Sequence, residues 1–287
     1  ILTLASGLWL QLGQQLRALR KTTQPQTATV EPPRGLKVVS KQQQRQLWQQ
    51  WSLVSLAIVL AAIALLLTSS RNGWVMGFLI MVSFVVQQRW YLCLAAIAGA
   101  VFSCLWAAFG TIGQGWFRQW VPSLIWARLN DQRYPNRPVE DLRITQWKFA
   151  WSMTQDRPWF GWGLQGFNNQ YELHTGFWLG HPHNLFLMLS AETGLPATLV
   201  LIGVVGFLLI KTAQNSWQQW LKQQANLTFA YWLAFIICSL SSVLDVTLFD
   251  ARVNMLNWVV LAVIAGHTYA VQADLPMVST KSQKLPQ

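Results

Sequence analysis

The chain has 287 residues, of which 53% are hydrophobic and 11% charged, with a formal net charge of +11. Soluble domains carry about 25% charged residues, so the composition excludes an ordinary soluble fold and points to lipid. Cys93, Cys104 and Cys238 all lie in apolar runs. Cys93 and Cys104 stand about 16 Å apart along one helix, too far to bridge each other, and the three read most simply as small apolar residues.

The first residues carry no basic segment followed by an apolar core and a cleavage site, so they do not resemble a signal peptide. Residues 1–16 are expected to be the end of a preceding transmembrane helix, and the chain the C-terminal part of a longer membrane protein. Residues 17–50 hold Arg17, Arg20, Lys21, Arg34, Lys37, Lys41 and Arg45 against one acid, Glu31. Their Thr, Gln and Pro content reads as a flexible basic loop ending in an interfacial helix.

Three transmembrane helices are expected within 51–109, at about 51–68, 73–87 and 90–109. The second comes from the shortest of six apolar runs. Residues 110–183 form a loop too long to be a connector, and its tryptophans indicate that it is folded. Three further spans are expected within 184–271, near 184–210, 227–247 and 253–271, before a polar tail at 272–287. The fold class is therefore an all-α polytopic membrane protein, with about six transmembrane helices and a folded, mostly helical loop.

Arg89, Lys211, Lys222, Lys281 and Lys284 fall at alternate turns. Placing them with the basic segment in the cytoplasm satisfies the positive-inside rule. The turns 69–73 and 245–252, and the long loop, then face outward. The basic excess is topological, so no nucleic-acid partner is expected. Trp48, Trp51, Trp74, Trp90, Trp178, Trp217 and Trp220 cluster at predicted span ends, as an aromatic belt would.

Within the loop, Pro138-Val139-Glu140-Asp141 reads as a helix start, and Arg157-Pro158 ends that helix near Asp156. Arg143, Trp147 and Trp151 then share one face. Gly161-Trp162-Gly163-Leu164-Gln165-Gly166 matches a dinucleotide-binding string, but it follows a helix rather than a strand, so a tight turn is the better reading.

Two of the four histidines stand in His181-Pro182-His183-Asn184, at the entrance to an apolar run. Imidazole transfers protons near neutral pH. His183 is the base candidate: with Asn184 as N-cap, the helix dipole favours its neutral, proton-accepting form. His181, held extended by Pro182, is a candidate for lining the site, as is Asn184. Glu192 is placed about two turns inside a span, where an ionisable group marks either function or a protonated internal bond. Arg71, in the turn before the second span, is a headgroup-level arginine or a phosphate anchor. Arg143 faces the same choice. Asp245, Asp250 and Arg252 are explained by local ion pairing. No metal is expected, since the histidines and carboxylates show no ligand spacing.

Three segments carry a resemblance: Thr68 to Trp74; Arg143 with 147–158, Gly161 and Gly163; and His183-Asn184 through Gly194. The chain resembles the O-antigen ligase/polymerase superfamily over about residues 51–271. The ligases' motif is His-Asn/Gln/Ser, nine residues, Gly, two residues, then Gly/Thr/Tyr. Here the last position is Ala197. The turn 244–250 with Arg252 and Asn254 looks most like a cyanobacterial branch labelled bicarbonate transporters, which makes inorganic-carbon transport the alternative function. The resemblance implies a GT-C-like architecture in the inner (plasma) membrane. It implies transfer of a glycan from an undecaprenyl-pyrophosphate-linked oligosaccharide donor to the hydroxyl of a glycan or lipid acceptor. The active face would be periplasmic, and no cofactor would be needed. Carried onto this sequence, Arg71 and Arg143 would hold the pyrophosphate and His183 would be the general base.

Overall fold

A computed structural model describes residues 1–23, 41–68, 70–129, 142–221, 227–246 and 249–273. The expected helix start at 138–141, residues 24–40 of the basic loop and residues 274–287 of the tail lie outside these residues. Every regular element among the described residues is a helix. In chain order they are α1 (Leu2–Thr23), α2 (Lys41–Leu67), α3 (Arg71–Gln87), α4 (Tyr91–Phe109), α5 (Gln114–Trp120) and α6 (Ser123–Leu129). Then follow α7 (Arg143–Asp156), α8 (Gly166–Thr175), α9 (Leu185–Thr193), α10 (Leu195–Leu221), α11 (Leu227–Leu244) and α12 (Ala251–Ala273).

Among the described residues, five helices are long and apolar enough to cross a membrane: α2, α4, α10, α11 and α12. The sixth expected span, α3, is a 17-residue apolar helix and falls short of that length. The chain is an all-α polytopic membrane protein. Leu53, Leu56, Val59 and Leu60 of α2 are more than half exposed, and no residue of that helix is buried. Such a surface needs lipid to cover it. The basic Lys41–Gln50 stretch is the first part of α2 itself rather than a separate interfacial helix.

α1, α3 and α11 pack through Leu10, Met76, Phe84, Ala230, Leu233 and Ile237. Gly7 lies against Ala230, so closely that a Cβ there would collide with the alanine side chain. The crossing of α1 and α11 therefore depends on two small residues. α10, α11 and α12 share a second core at Phe235, Leu261 and Ile264. A hydroxyl pair, Thr212 to Thr268 at 2.6 Å, ties α10 to α12.

The largest difference from the sequence expectation is at 184–210. The expected single span is two helices, α9 and α10, separated at Gly194. Gly194 has φ +82° and ψ 165°, a region that only glycine occupies readily. The 157–163 turn is docked into the break. Leu195 N donates to Pro158 O at 2.7 Å, Trp162 N to Ala191 O at 2.9 Å, and Gly163 N to Glu192 O at 2.9 Å. A Cβ on Gly194 would meet the Trp159 carbonyl, and one on Gly161 the Glu192 carbonyl. The Arg157 guanidinium lies 4.0 Å over the Trp162 ring and braces the same turn.

This clamp joins the loop to the bundle. Ala150, Met153, Phe167, Tyr171 and Ala191 form a core between α7, α8 and α9. Thr154 and Ser190 exchange a buried hydroxyl bond at 3.0 Å. α7 and α8 form a small helical layer seated against α9.

Candidate functional site

Asn184 caps α9 as its residue type predicts: its Oδ1 accepts from Leu187 N at 3.0 Å. The side chain is nearly buried and committed to the cap. His183, the residue before it, has φ +52°, a left-handed conformation that histidine tolerates better than most side chains. Pro182 is fully buried. Together they fix the direction in which His183 leaves the backbone.

His183 Nδ1 lies 3.0 Å from Asp245 Oδ1. Asp245 directly follows α11, and its Oδ1 also accepts from Val246 N at 2.9 Å. Its pKa is lowered, first by the His183 hydrogen bond and further by the charges of His183 and Arg143. An ionised carboxylate only accepts. His183 Nδ1–H is therefore the donor, and Nε2 is left to take a proton. The expected local ion pairing of Asp245 is thus corrected: its partner comes from the loop, 62 residues away. Asp250 does act locally, with its Oδ1 accepting from Arg252 N at 2.8 Å.

His181 joins the pair. Its ring stands 4.6 Å from the His183 ring, edge to face, and its Nδ1 accepts from His183 N at 3.3 Å. Burial, then the neighbouring His183, lowers its pKa, which keeps it neutral at pH 7. Phe249 covers it at 5.4 Å.

Arg71 is the first residue of α3, in a turn capped by Ser70, whose side chain accepts from Gly73 N at 3.2 Å. Asn72 Nδ2 donates to Ser241 O at 3.2 Å, four residues before Asp245. The start of α3 and the end of α11 therefore meet at one end of the bundle, with Asp245 about 6 Å further along the chain axis. Arg143 is the first residue of α7 and is exposed. Its charge reaches Asp245. α7 packs directly on α9, the helix that follows His183, through the Thr154–Ser190 contact.

Arg71, Arg143, His181, His183 and Asp245 thus gather at one end of the bundle. Glu192 does not join them. It lies at the far end of α9, about 12 Å from Asn184 along the helix, and outside any span. Its buried carboxyl accepts from Phe167 N at 3.4 Å, at the start of α8. Burial raises its pKa, partly offset by backbone donors at Phe167 and Gln165. The break at Gly194, invisible in a continuous apolar run, is what separates Glu192 from the span-length helix α10.

Sequence reasoning missed Asp245 as a site residue. Its signal was its position, an acid at a predicted outward span end, but nothing in the sequence tied it to His183. The same fold overturns the reason for expecting no metal ligands, because His181, His183 and Asp245 converge in space without any ligand spacing in sequence.

A family model described as O-antigen ligase matches residues 56–202, just over half of the chain. The chain belongs to the O-antigen ligase family. No curated protein and no solved structure matches it. The O-antigen ligase segment contains Arg71, Arg143, His181, His183, Asn184 and Glu192 and ends before Asp245. Membership of the O-antigen ligase family supports a membrane glycosyltransferase-like function. It also implies lipid-linked glycan substrates and a bilayer environment.

Proposed function

We propose that the protein transfers a glycan from an undecaprenyl-pyrophosphate donor to an acceptor hydroxyl on the periplasmic face of the inner membrane. The observation that carries this reading is the 3.0 Å His183–Asp245 contact, at the bundle end that also holds Arg71 and Arg143. His183 Nε2 takes the proton of the acceptor hydroxyl as its oxygen bonds to the anomeric carbon. The bond from that carbon to the pyrophosphate oxygen breaks, and undecaprenyl pyrophosphate leaves with the electron pair. Attack opposite the leaving group inverts the anomeric centre.

Each group fits the charge that develops. Asp245 holds the His183 ring and stabilises the imidazolium. Arg71 and Arg143 meet the negative charge that grows on the departing diphosphate. The donor is already activated, so the reading requires neither nucleotide nor metal. His181 positions His183 through the backbone bond to its Nδ1. The 244–254 turn supports kinship with the cyanobacterial branch. The family match lends no support to inorganic-carbon transport.

The test is glycan transfer by the variants Arg71→Ala, Arg143→Ala and His183→Ala, with membrane insertion followed in parallel. Transfer falls about 10²–10⁴-fold in His183→Ala, while all three insert normally. Normal glycan in all three would overturn the reading.

A further inference from the structure

The proposed base has a second neighbour, His181, that takes no proton in the transfer itself. His181, His183 and Asp245 each offer one ligating atom, and these atoms lie within 4.8 Å of one another. All three side chains are only partly buried, so an ion can reach them from solvent. We propose that His181, His183 and Asp245 form a binding site for a borderline-soft divalent cation of the zinc type, and that its occupancy withdraws His183 from proton transfer.

The donor set decides the class of ion. Two imidazoles and one carboxylate with an open fourth position suit Zn²⁺ and its first-row neighbours. Mg²⁺ and Ca²⁺ demand six or more oxygens and find one carboxylate here. The geometry needs little adjustment. Bonds of about 2.0–2.2 Å put the ligand atoms of a tetrahedral zinc about 3.4 Å apart. The His183 Nδ1 to Asp245 Oδ1 distance of 3.0 Å is already below that. The widest pair closes by little more than about an ångström, within reach of imidazole ring rotation.

His181 Nδ1 holds only a long 3.3 Å bond from the His183 amide, so its lone pair is easily redirected. The metal takes the place of the proton that His183 Nδ1 gives to Asp245. Arg143, whose charge reaches Asp245, opposes a cation and keeps the affinity below that of a closed structural zinc site. It also couples the site to anion binding: a ligand anion drawing Arg143 away from Asp245 favours the ion, and loss of Arg143 tightens it.

The experiment titrates the purified full chain in detergent with Co²⁺ and Zn²⁺. Wild-type protein binds one Co²⁺ with the visible d–d absorption of a low-coordinate nitrogen–oxygen site, and Zn²⁺ displaces it. Asp245→Asn and His181→Gln each weaken Zn²⁺ at least about tenfold. Arg143→Gln strengthens it, and His174→Ala and His267→Ala leave it unchanged. No stoichiometric Co²⁺ band in wild type, or Zn²⁺ affinity indifferent to both His181→Gln and Asp245→Asn, overturns the site. Binding is independent of the transferase reading. Inhibition of transfer by Zn²⁺ rests on it, so a protein that binds zinc and transfers nothing sinks that reading and leaves the site standing.

Discussion

Asp245 changes what His183 is. A lone histidine before a helix is a structural feature as often as a catalytic one. A histidine whose Nδ1–H is fixed to an ionised carboxylate has a defined tautomer and a free Nε2. Asp245→Asn keeps the size and removes the charge, and transfer in that variant is expected to fall about 10²-fold or more, with donor binding little changed. Kinetics at saturating donor check this. The same pair sets an acid limb of stability. The folded pKa of Asp245 is depressed, so its contribution is fully present above the unfolded carboxylate value and is lost as pH falls through the folded one. Melting curves in detergent should therefore drop more steeply on acidification for wild type than for Asp245→Asn. Glu192 has the opposite sign. Its folded pKa is raised by burial, so stability falls as pH rises from the unfolded value through the folded one. Glu192→Gln, which keeps an acceptor and sheds the charge, removes that fall. Glu192→Ala strands the amides of Phe167 and Gln165 and costs about 1–3 kcal/mol.

The break between α9 and α10 is the element on which the site depends. α9 has nine residues and is held at its far end by backbone bonds from Trp162 and Gly163. Its near end carries Asn184 and, before it, His183. Gly194→Ala forces a Cβ into the Trp159 carbonyl and strains a backbone region reserved for glycine. We expect a cost of about 1–3 kcal/mol, with lower thermal stability and reduced transfer together, read by melting and activity of the same sample. Much of this end was legible. Asn184 as N-cap and the end of α7 at Asp156 follow from local rules, because caps and Arg-Pro boundaries act within a few residues. The break itself was not, since Leu185 to Ile210 is apolar on both sides of Gly194 and hydropathy does not see φ. The clamp comes from residues 157–163, and no local pattern reports a docking partner. Asp245 was illegible for the same reason: its contact closes a 62-residue interval that holds α9, α10 and α11.

The whole molecule sets a charge-bearing end against an apolar body. The starts of α3, α10 and α12 and the ends of α2, α4 and α11 lie at the end that holds Arg71, His183 and Asp245. The opposite end carries Arg89, whose Nη2 donates to Leu221 O at 3.3 Å. The outward assignment of the site end predicts labelling in intact cells. In a cysteine-free background, Leu173→Cys and Phe249→Cys react with an impermeant maleimide, and Gln214→Cys does so only after permeabilisation. Reversal of that pattern would place the site on the wrong face for a periplasmic acceptor. The most direct test of the central claim is transfer of glycan from an undecaprenyl-pyrophosphate donor by the intact protein in liposomes, comparing wild type with His183→Ala and Asp245→Asn. The account predicts transfer by wild type and a loss of about 10²-fold or more in both variants at equal reconstitution. Transfer at the wild-type rate by either variant would contradict it.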